Sequence, residues 1–290
     1  MKVKKSNGRK IFDVFNYTLL GLCVLVSLYP IINQVALSFS SAAGVLQNNV
    51  TIFPIDFTLG TYESIVADKK FFTGYRNTVM YCVLGTLLGL SMTSICAYAL
   101  SKKNVYGANR FLKLIVFTMF FGGGLIPTFV LIRNLGFIDT IWAIIVPGCI
   151  IPYHLLIMRT YFAGLPMELE EASKIDGMGQ LGYFFKIALP LSKPIIATMT
   201  LFIAVIYWND WFAALMYIND TDMQPITLYL RNIMMGATMA AQEGDYDSLS
   251  TVSSSVQAAA MVLVITPVLC IYPFVQKYFV TGVMIGAVKG

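Results

Sequence analysis

The chain has 290 residues, of which 57% are apolar and only 12% are charged. An ordinary soluble domain carries about 25% charged residues, so the composition excludes a soluble enzyme or soluble binding domain. The net charge of +5 does not indicate nucleic-acid binding, because the basic residues lie in small groups beside apolar runs and not in one patch.

Six apolar runs are each long enough to cross about 30 Å of hydrocarbon at about 1.5 Å per residue. They cover residues 12–38, 77–100, 111–132, 141–161, 195–218 and 258–280. The sequence therefore predicts an all-α integral membrane protein with about six transmembrane helices. Residues 1–11 are predicted to form a cytoplasmic N-terminal segment, and residues 12–290 one transmembrane domain.

The first run follows a basic segment, a layout that a secretory signal peptide shares. Asp13, Asn33 and Gln34 favour a helix that packs against other helices over a removable leader. Further along, Gly122–Gly124 and the pair Pro147 and Pro152 are expected to break or kink the third and fourth runs. Such breaks either line a cavity or serve close helix packing.

The distribution of Lys and Arg predicts the orientation. With the N-terminus inside, fifteen of the twenty basic residues lie on one side of the membrane. Basic residues near the ends of spans are retained in the cytoplasm. Both termini are therefore predicted to be cytoplasmic, and the polar stretch 167–193 to face the cytoplasm.

This stretch begins with the signals of a short helix. Pro166 suits a first helical position, Glu168, Glu170 and Glu171 favour the positive end of the helix dipole, and Gly177 suits a left-handed cap at the C-terminal end. A second helix is expected over about residues 180–189.

The second helix carries an apolar stripe made of Leu181, Phe184, Phe185 and Ala188, and Pro190 is expected to end it. A pair of helices with acids on one arm and an apolar stripe on the other suits docking into a groove of a soluble partner. The alternative is a helix pair lying on lipid, which the clustered acids disfavour because the cytoplasmic leaflet is negatively charged.

The segments Glu171-Ala172-Ser173, Gly177 and Ile187-Ala188-Leu189-Pro190 resemble the EAA signature of ABC importer permeases, with Ser173 as the one departure. The resemblance implies a type I ABC importer permease fold with cytoplasmic coupling helices over residues 166–190. It also implies these ATPase-coupling residues: Glu171, Ala172, Ser173, Asp176, Gly177, Ile187, Leu189 and Pro190.

The similarity extends along nearly the whole chain. Gly123–Pro127, the Trp208–Trp211 segment and the ending 272–290 look like the LplC/YtcP-like branch of carbohydrate permeases, relatives of the maltose G-type permease. This branch implies a bacterial cytoplasmic membrane and a carbohydrate substrate, which the ending suggests is an oligosaccharide. The tail 281–290 is then expected either to reach between the ATPases or to fray.

The same resemblance implies the partners. They are a second, homologous permease, two ATP-binding subunits and an extracytoplasmic solute-binding protein. The chain has no GxxxxGK[ST] loop, so ATP and Mg are expected on the partner subunits, with no cofactor, metal or catalytic residue on this chain.

The segment Tyr207, Trp208, Asn209, Asp210 and Trp211 is a candidate for the substrate pathway, since aromatic rings stack on sugars and the polar pair can bond hydroxyls. The alternative is an aromatic belt at the membrane interface.

Two other function classes remain as rivals. An ion-driven secondary transporter would need more intramembrane acids than Asp210. An intramembrane enzyme would need a nucleophile with a base, or a metal-ligand cluster, and the single histidine, His154, is expected to make a packing hydrogen bond instead.

Overall fold

The protein is described by a computed structural model covering residues 7–46, 50–102, 104–243 and 254–287, which are largely helical and contain no strand. The first helices are α1 Asn7–Ser38, α2 Ala42–Leu46, α3 Gly60–Ala67, α4 Lys69–Ser101, α5 Ala108–Phe120, α6 Leu125–Asn134 and α7 Trp142–Ile145. They are followed by α8 Pro152–Ala163, α9 Met167–Ile175, α10 Gln180–Leu191, α11 Lys193–Asn209, α12 Phe212–Tyr217, α13 Ile226–Glu243 and α14 Ser254–Ala287. Of the predicted terminal segments, residues 1–6 and 288–290 lie outside the described part.

The described helices include three to five candidate membrane spans. Gly8–Ser38, Lys69–Ser101 and Ser254–Pro273 are each long and apolar enough to cross a bilayer. Two bent pairs, α5 with α6 and α10 with α11, also qualify if each pair counts as one span. The all-helical membrane fold is confirmed, whereas the count of six continuous spans is not.

Both predicted breaks are confirmed. Helices α5 and α6 meet at 118°, and residues 121–124 between them are not helical. Gly124 has φ +84°, a conformation that favours glycine. The run 141–161 is likewise divided, because α7 ends at Ile145 and Pro152 begins α8 in the N-terminal position that proline suits.

The apolar run 195–218 is divided as well, at a break that its sequence does not indicate. Helix α11 ends at Asn209, Asp210 is extended with φ −78° and ψ 99°, and a new helix begins at Phe212. The carboxylate of Asp210 accepts a hydrogen bond from the backbone N–H of Ala213 at 3.0 Å. The first backbone N–H groups of a helix have no partner within the helix, and an Asp side chain at the helix start can accept a hydrogen bond from one of them. Asp210 does this at the start of α12.

The described backbone divides into two compact units, one formed by residues 1–69 and 230–267. Within it, the end of α1 holds the segment that follows. Phe39 stacks on Phe57 with ring centroids 5.5 Å apart, and the Tyr62 hydroxyl donates to Ser38 Oγ at 2.7 Å. Most apolar side chains of α1 are exposed, such as Val26.

The other unit contains residues 70–229 and 268–290. In it, α4 and α11 pack closely through glycine. A Cβ on Gly85 would lie 2.6 Å from the Tyr207 ring, and one on Gly89 would lie 2.9 Å from the carbonyl oxygen of Cys149. The Tyr207 hydroxyl donates to the carbonyl oxygen of Ile145 at 2.9 Å. Gly85 and Gly89, which are four residues apart on α4, thus allow neighbouring segments to approach this helix closely, as small residues do in other membrane helix pairs.

Near its beginning, α4 also holds the loop before α13. Asn77 Nδ2 donates to the carbonyl oxygens of Asp222, at 2.7 Å, and Gln224, at 3.1 Å. The Tyr81 hydroxyl donates to the carbonyl oxygen of Met223 at 2.7 Å. These bonds satisfy loop carbonyls that would otherwise need water.

Candidate functional site

Helices α9 and α10 meet at a glycine corner. The N–H of Gly177 donates to Lys174 O at 3.0 Å, and that of Met178 donates to Ser173 O at 2.8 Å. This pair of bonds defines a Schellman cap, whose left-handed residue is Gly177 at φ +74°. The left-handed conformation predicted for Gly177 is confirmed. A Cβ there would meet nothing within 4 Å, so the constraint comes from the backbone alone.

Pro190 does not end the second helix, contrary to the prediction. The helix continues from Gln180 to Leu191 through a π-turn over Phe184–Ala188. In that turn the N–H of Leu189 donates to Phe184 O, five residues back. Proline inside an α-helix removes one N–H and clashes with the preceding turn, and the wider π-turn accommodates it.

One face of α10 is anchored in the core of its unit. Tyr183, Phe184 and Ala188 are buried. They belong to an apolar cluster shared with α4, α8 and α11, whose other buried members are Ala97, Tyr98, Leu155, Met158, Phe162, Ile195 and Met199. A fully buried side chain of this size contributes about 1.5 to 3 kcal/mol, so α10 is firmly attached to the membrane helices.

The other face of the helix pair is apolar and exposed. Ile175, Leu181 and Phe185 are 87%, 74% and 59% exposed. The predicted stripe is therefore divided, because Phe184 and Ala188 point into the core while Leu181 and Phe185 do not. We name the exposed set Ile175, Leu181 and Phe185 the apolar patch of the corner.

The eight predicted ATPase-coupling residues also divide by exposure. Five are exposed, namely Glu171, Ala172, Asp176, Gly177 and Pro190. Three are buried or half-buried, namely Ser173, Ile187 and Leu189. The hydroxyl of Ser173 donates to Glu170 O at 2.7 Å, so the departure from alanine is satisfied within its own helix.

The side chain of Glu170 connects the pair to α4. Its carboxylate forms an ion pair with Lys102, which directly follows α4, and a second with Lys174 at 3.0 Å. Gln180 Nε2 donates to the same carboxylate at 3.1 Å, while Gln180 Oε1 accepts from the Tyr98 hydroxyl at 3.1 Å. Glu170, Lys102, Gln180 and Tyr98 thus join α4, α9 and α10.

Partial burial by itself raises the pKa of Glu170, but the hydrogen bonds from Lys102, Gln180 and Lys174 outweigh it and lower that pKa to about 2. The Lys102 ammonium also lies 4.5 Å from the ring centroid of Tyr98 and 5.1 Å from that of Tyr183. These contacts surround the cation with partners of complementary charge.

From the sequence, Glu170 stands out only as one of three acids near a helix start. The Glu170–Lys174 spacing of four residues was a visible signal for the minor part of the network. The main partner, Lys102, is 68 residues away, and no local pattern indicates it.

The structure places the five aromatic and polar residues of 207–211 in different environments. Tyr207 and Trp208 are buried, and Trp208 lies edge-to-face against Tyr75 with centroids 6.4 Å apart. Asn209 and Trp211 are exposed. These side chains therefore do not form one open surface.

Asp210 and His154 are both held by local contacts. Asp210 is half-buried at the break between α11 and α12, where it caps α12. His154 is buried and stacks on Phe202 with centroids 5.9 Å apart. Its Nδ1 has no hydrogen-bond partner among the described residues, so the expected packing hydrogen bond is not found at that atom.

The sequence matches the family described as "Binding-protein-dependent transport system inner membrane component" over residues 85–284. It is 40% identical to Protein LplC of Bacillus subtilis (strain 168), covering 98% of this chain and 97% of that protein. It is 37% identical to the Polygalacturonan/rhamnogalacturonan transport system permease protein YtcP of the same organism, covering 97% of this chain and 99% of that protein.

A solved structure is similar as well. A chain from the crystal structure of a bacterial ABC transporter involved in the import of the acidic polysaccharide alginate superposes with a TM-score of 0.87 at 36% identity, covering 96% of this chain and 100% of that chain.

Proposed function

Because the chain belongs to the family of binding-protein-dependent transport system inner membrane components, we propose that it is the permease subunit of an ATP-driven importer that takes up a carbohydrate. The observation that carries this proposal is the α9–α10 corner, which presents Glu171 and the apolar patch on a base packed into the membrane helices. An exposed apolar patch on an anchored base is suited to a protein partner.

The contacts at the corner explain how it would transmit movement. Phe184 and Ala188 pack against the ends of α4 and α8, and Glu170 binds Lys102 at the end of α4. Close-packed interiors transmit displacement because they compress little. A partner that pulls on the corner therefore displaces α4 and α8 with it.

The partner at this corner is a subunit that binds ATP and Mg, since ATP hydrolysis has to be supplied from outside this chain. Glu171 faces a cationic residue of that subunit, and Leu181 and Phe185 enter an apolar groove, the mode used by amphipathic helices. The complete importer contains two ATP-binding subunits, a second, homologous permease and an extracytoplasmic solute-binding protein.

The substrate is an oligosaccharide. The names of YtcP and of the alginate importer refer to polysaccharides, which supports this class. Asn209 and Asp210 lie on the pathway in this proposal. Asn209 is exposed, and both residues lie at the break between α11 and α12.

The orientation has the α9–α10 corner and both termini in the cytoplasm. A cysteine at Gln180 should react with a membrane-impermeant maleimide only after permeabilisation, whereas one at Glu243 should react in intact cells. The background is a variant with the five native cysteines replaced, because Cys23 and Cys270 are exposed within the chain. Labelling of position 180 in intact cells would contradict this orientation.

The coupling role is tested with Glu171→Ala and Gly177→Val. Truncating one member of a buried charged pair costs about 2 to 5 kcal/mol, so Glu171→Ala should weaken binding of the ATP-binding subunit. Glu168→Ala is the matched control, an exposed acid one turn earlier in α9. The readouts are co-purification of that subunit and hydrolysis stimulated by loaded binding protein in vesicles. Normal docking and stimulation in both variants would contradict the proposal.

A further inference from the structure

A cavity of about 260 Å³ opens between the end of α4, the turn that precedes α5, and α8. Leu100 lines it at the end of α4, Gly107 and Ala108 line it where α5 begins, and Arg159 lines it from α8. The volume is slightly below the about 300 to 1,000 Å³ of sites for drug-sized ligands. The cavity therefore suits a small group and not a whole nucleotide.

The cavity is basic. Lys102, Arg110 and Arg159 line it, and none of its described lining residues is acidic. Lys102 is compensated by Glu170 outside the cavity. The Nε–H of Arg159 donates to Leu100 O at 3.3 Å. The two terminal nitrogens of this guanidinium therefore remain for another acceptor. Arg110 has no ion pair within the described part of the chain.

The backbone adds to this positive character. Helix α5 starts at Ala108, directly beside the cavity, and its 13 residues give the start of the helix a partial positive charge. Gly107 has φ +81°, which lets the chain turn sharply into the helix. Two arginines and a helix start thus converge on one small volume.

The surroundings of the cavity are apolar on the side of α5. Phe111, Leu114 and Phe117 are exposed and follow the cavity along the helix. The apolar helix α4 ends at Ser101, beside the basic Lys102, and such an end of a candidate span is expected near the membrane surface. In the orientation proposed above from the distribution of basic residues, this surface is the cytoplasmic one.

We propose that this cavity binds the phosphodiester headgroup of an anionic phospholipid of the inner leaflet. Guanidinium groups bind phosphate through paired, charge-assisted hydrogen bonds, and basic pockets between membrane helices recognise such headgroups. The acyl chains lie along Phe111, Leu114 and Phe117. Lys102 belongs to both the cavity and the ion pair with Glu170, whereas no hydrogen bond or ion pair in the described structure joins Arg110 or Arg159 to a predicted ATPase-coupling residue.

The test uses the complete transporter in detergent, with its ATP-binding subunits present. Dioleoyl phosphatidylglycerol and dioleoyl phosphatidylcholine are titrated separately, and bound lipid is counted by native mass spectrometry. Arg110→Gln should weaken binding of the anionic lipid about tenfold, since it removes a charge-assisted hydrogen bond to the phosphate. Lys113→Gln, which removes a charge from the same helix outside the cavity, should leave it unchanged.

A competition with inorganic phosphate distinguishes two sources of the same chemistry. If the cavity holds a lipid, millimolar phosphate should displace little phosphatidylglycerol. If the wild type bound inorganic phosphate but no lipid, and Arg110→Gln lost the phosphate, the cavity would be an anion site. Its ligand would then be a soluble phosphate, and the lipid assignment would be wrong. Three results would overturn the proposal. The two lipids could bind equally well, or Arg110→Gln and Lys113→Gln could lose equal amounts of lipid. Arg110→Gln could also lose the ATP-binding subunit without any effect on lipid binding.

Discussion

Lys102 and Glu170 form an ion pair that joins the end of the long apolar helix α4 to α9, the first helix of the α9–α10 corner. Their side chains are 22% and 16% exposed, and the same carboxylate also binds Lys174 and Gln180. An exposed pair contributes about 0.2 to 1 kcal/mol, whereas a partly buried carboxylate with several donors contributes more.

Glu170→Gln should destabilise the corner by about 1 to 3 kcal/mol, because Lys102 loses its counter-charge while partly buried. Lys174→Met is the control. Lys174 is 51% exposed and binds the same carboxylate from the same helix, so its removal should cost less than about 0.5 kcal/mol. Hydrogen exchange of residues 167–191 measures both. Equal protection in the two variants would contradict the importance of Lys102.

The same carboxylate predicts a pH dependence of stability. Hydrogen bonds that outweigh the effect of burial lower the pKa of Glu170 from 4.5 to about 2 in the folded protein. Its stabilising contribution is therefore complete above about pH 4.5 and is lost as the pH falls towards 2. The difference in melting temperature between the wild type and Glu170→Gln should be constant from about pH 7 to 5 and shrink below about pH 4.5. A constant difference down to about pH 3 would contradict the lowered pKa.

Gly177 and Gly179 offer a comparison of conformation at one corner. A Cβ added at either position would meet no atom within 4 Å, but Gly177 has φ +74° and Gly179 has φ −73°. Gly177→Ala should cost about 1 to 2 kcal/mol, whereas Gly179→Ala, at the N-cap of α10 with an ordinary φ, should cost less than about 1 kcal/mol. Gly177→Asn should lie between wild type and alanine, because Asn tolerates the left-handed region. Thermal unfolding of the purified importer provides the measurement, and equal melting temperatures for all variants would argue against the Schellman cap.

Substitutions of Asp210 separate its capping role from a role in the pathway. Asp210→Ala removes the acceptor for the Ala213 N–H and should cost about 0.5 to 2 kcal/mol, while Asp210→Asn keeps an acceptor. If Asp210 also contacts substrate, Asp210→Asn should change uptake kinetics at unchanged stability. Unchanged uptake across neutral and acidic oligosaccharides would leave capping as its function.

The sequence predicts features whose causes are local. Gly177 takes the left-handed conformation that a helix cap requires, and the glycine and proline clusters break the third and fourth apolar runs. The break at Asp210 is not evident from the sequence, since an apolar segment surrounds the residue and only the contact with Ala213 shows that it caps.

The remaining features depend on tertiary contacts. The division of the apolar stripe follows from the packing of Phe184 and Ala188 against α4 and α8. The Lys102–Glu170 pair depends on how those helices bring distant residues together. Side-chain periodicity describes one helix at a time, so neither contact could be read from it.

The contact between Gly85 and Tyr207 also limits how this chain can vary. A methyl group at position 85 would lie 2.6 Å from the tyrosine ring, whereas one at Gly148 would meet only the Tyr207 hydroxyl, at 3.9 Å. Overpacking of this kind costs about 1 to 3 kcal/mol. Positions 85 and 207 should therefore change together in evolution, with a larger residue at 85 accompanied by a smaller one at 207, while position 148 drifts independently of both.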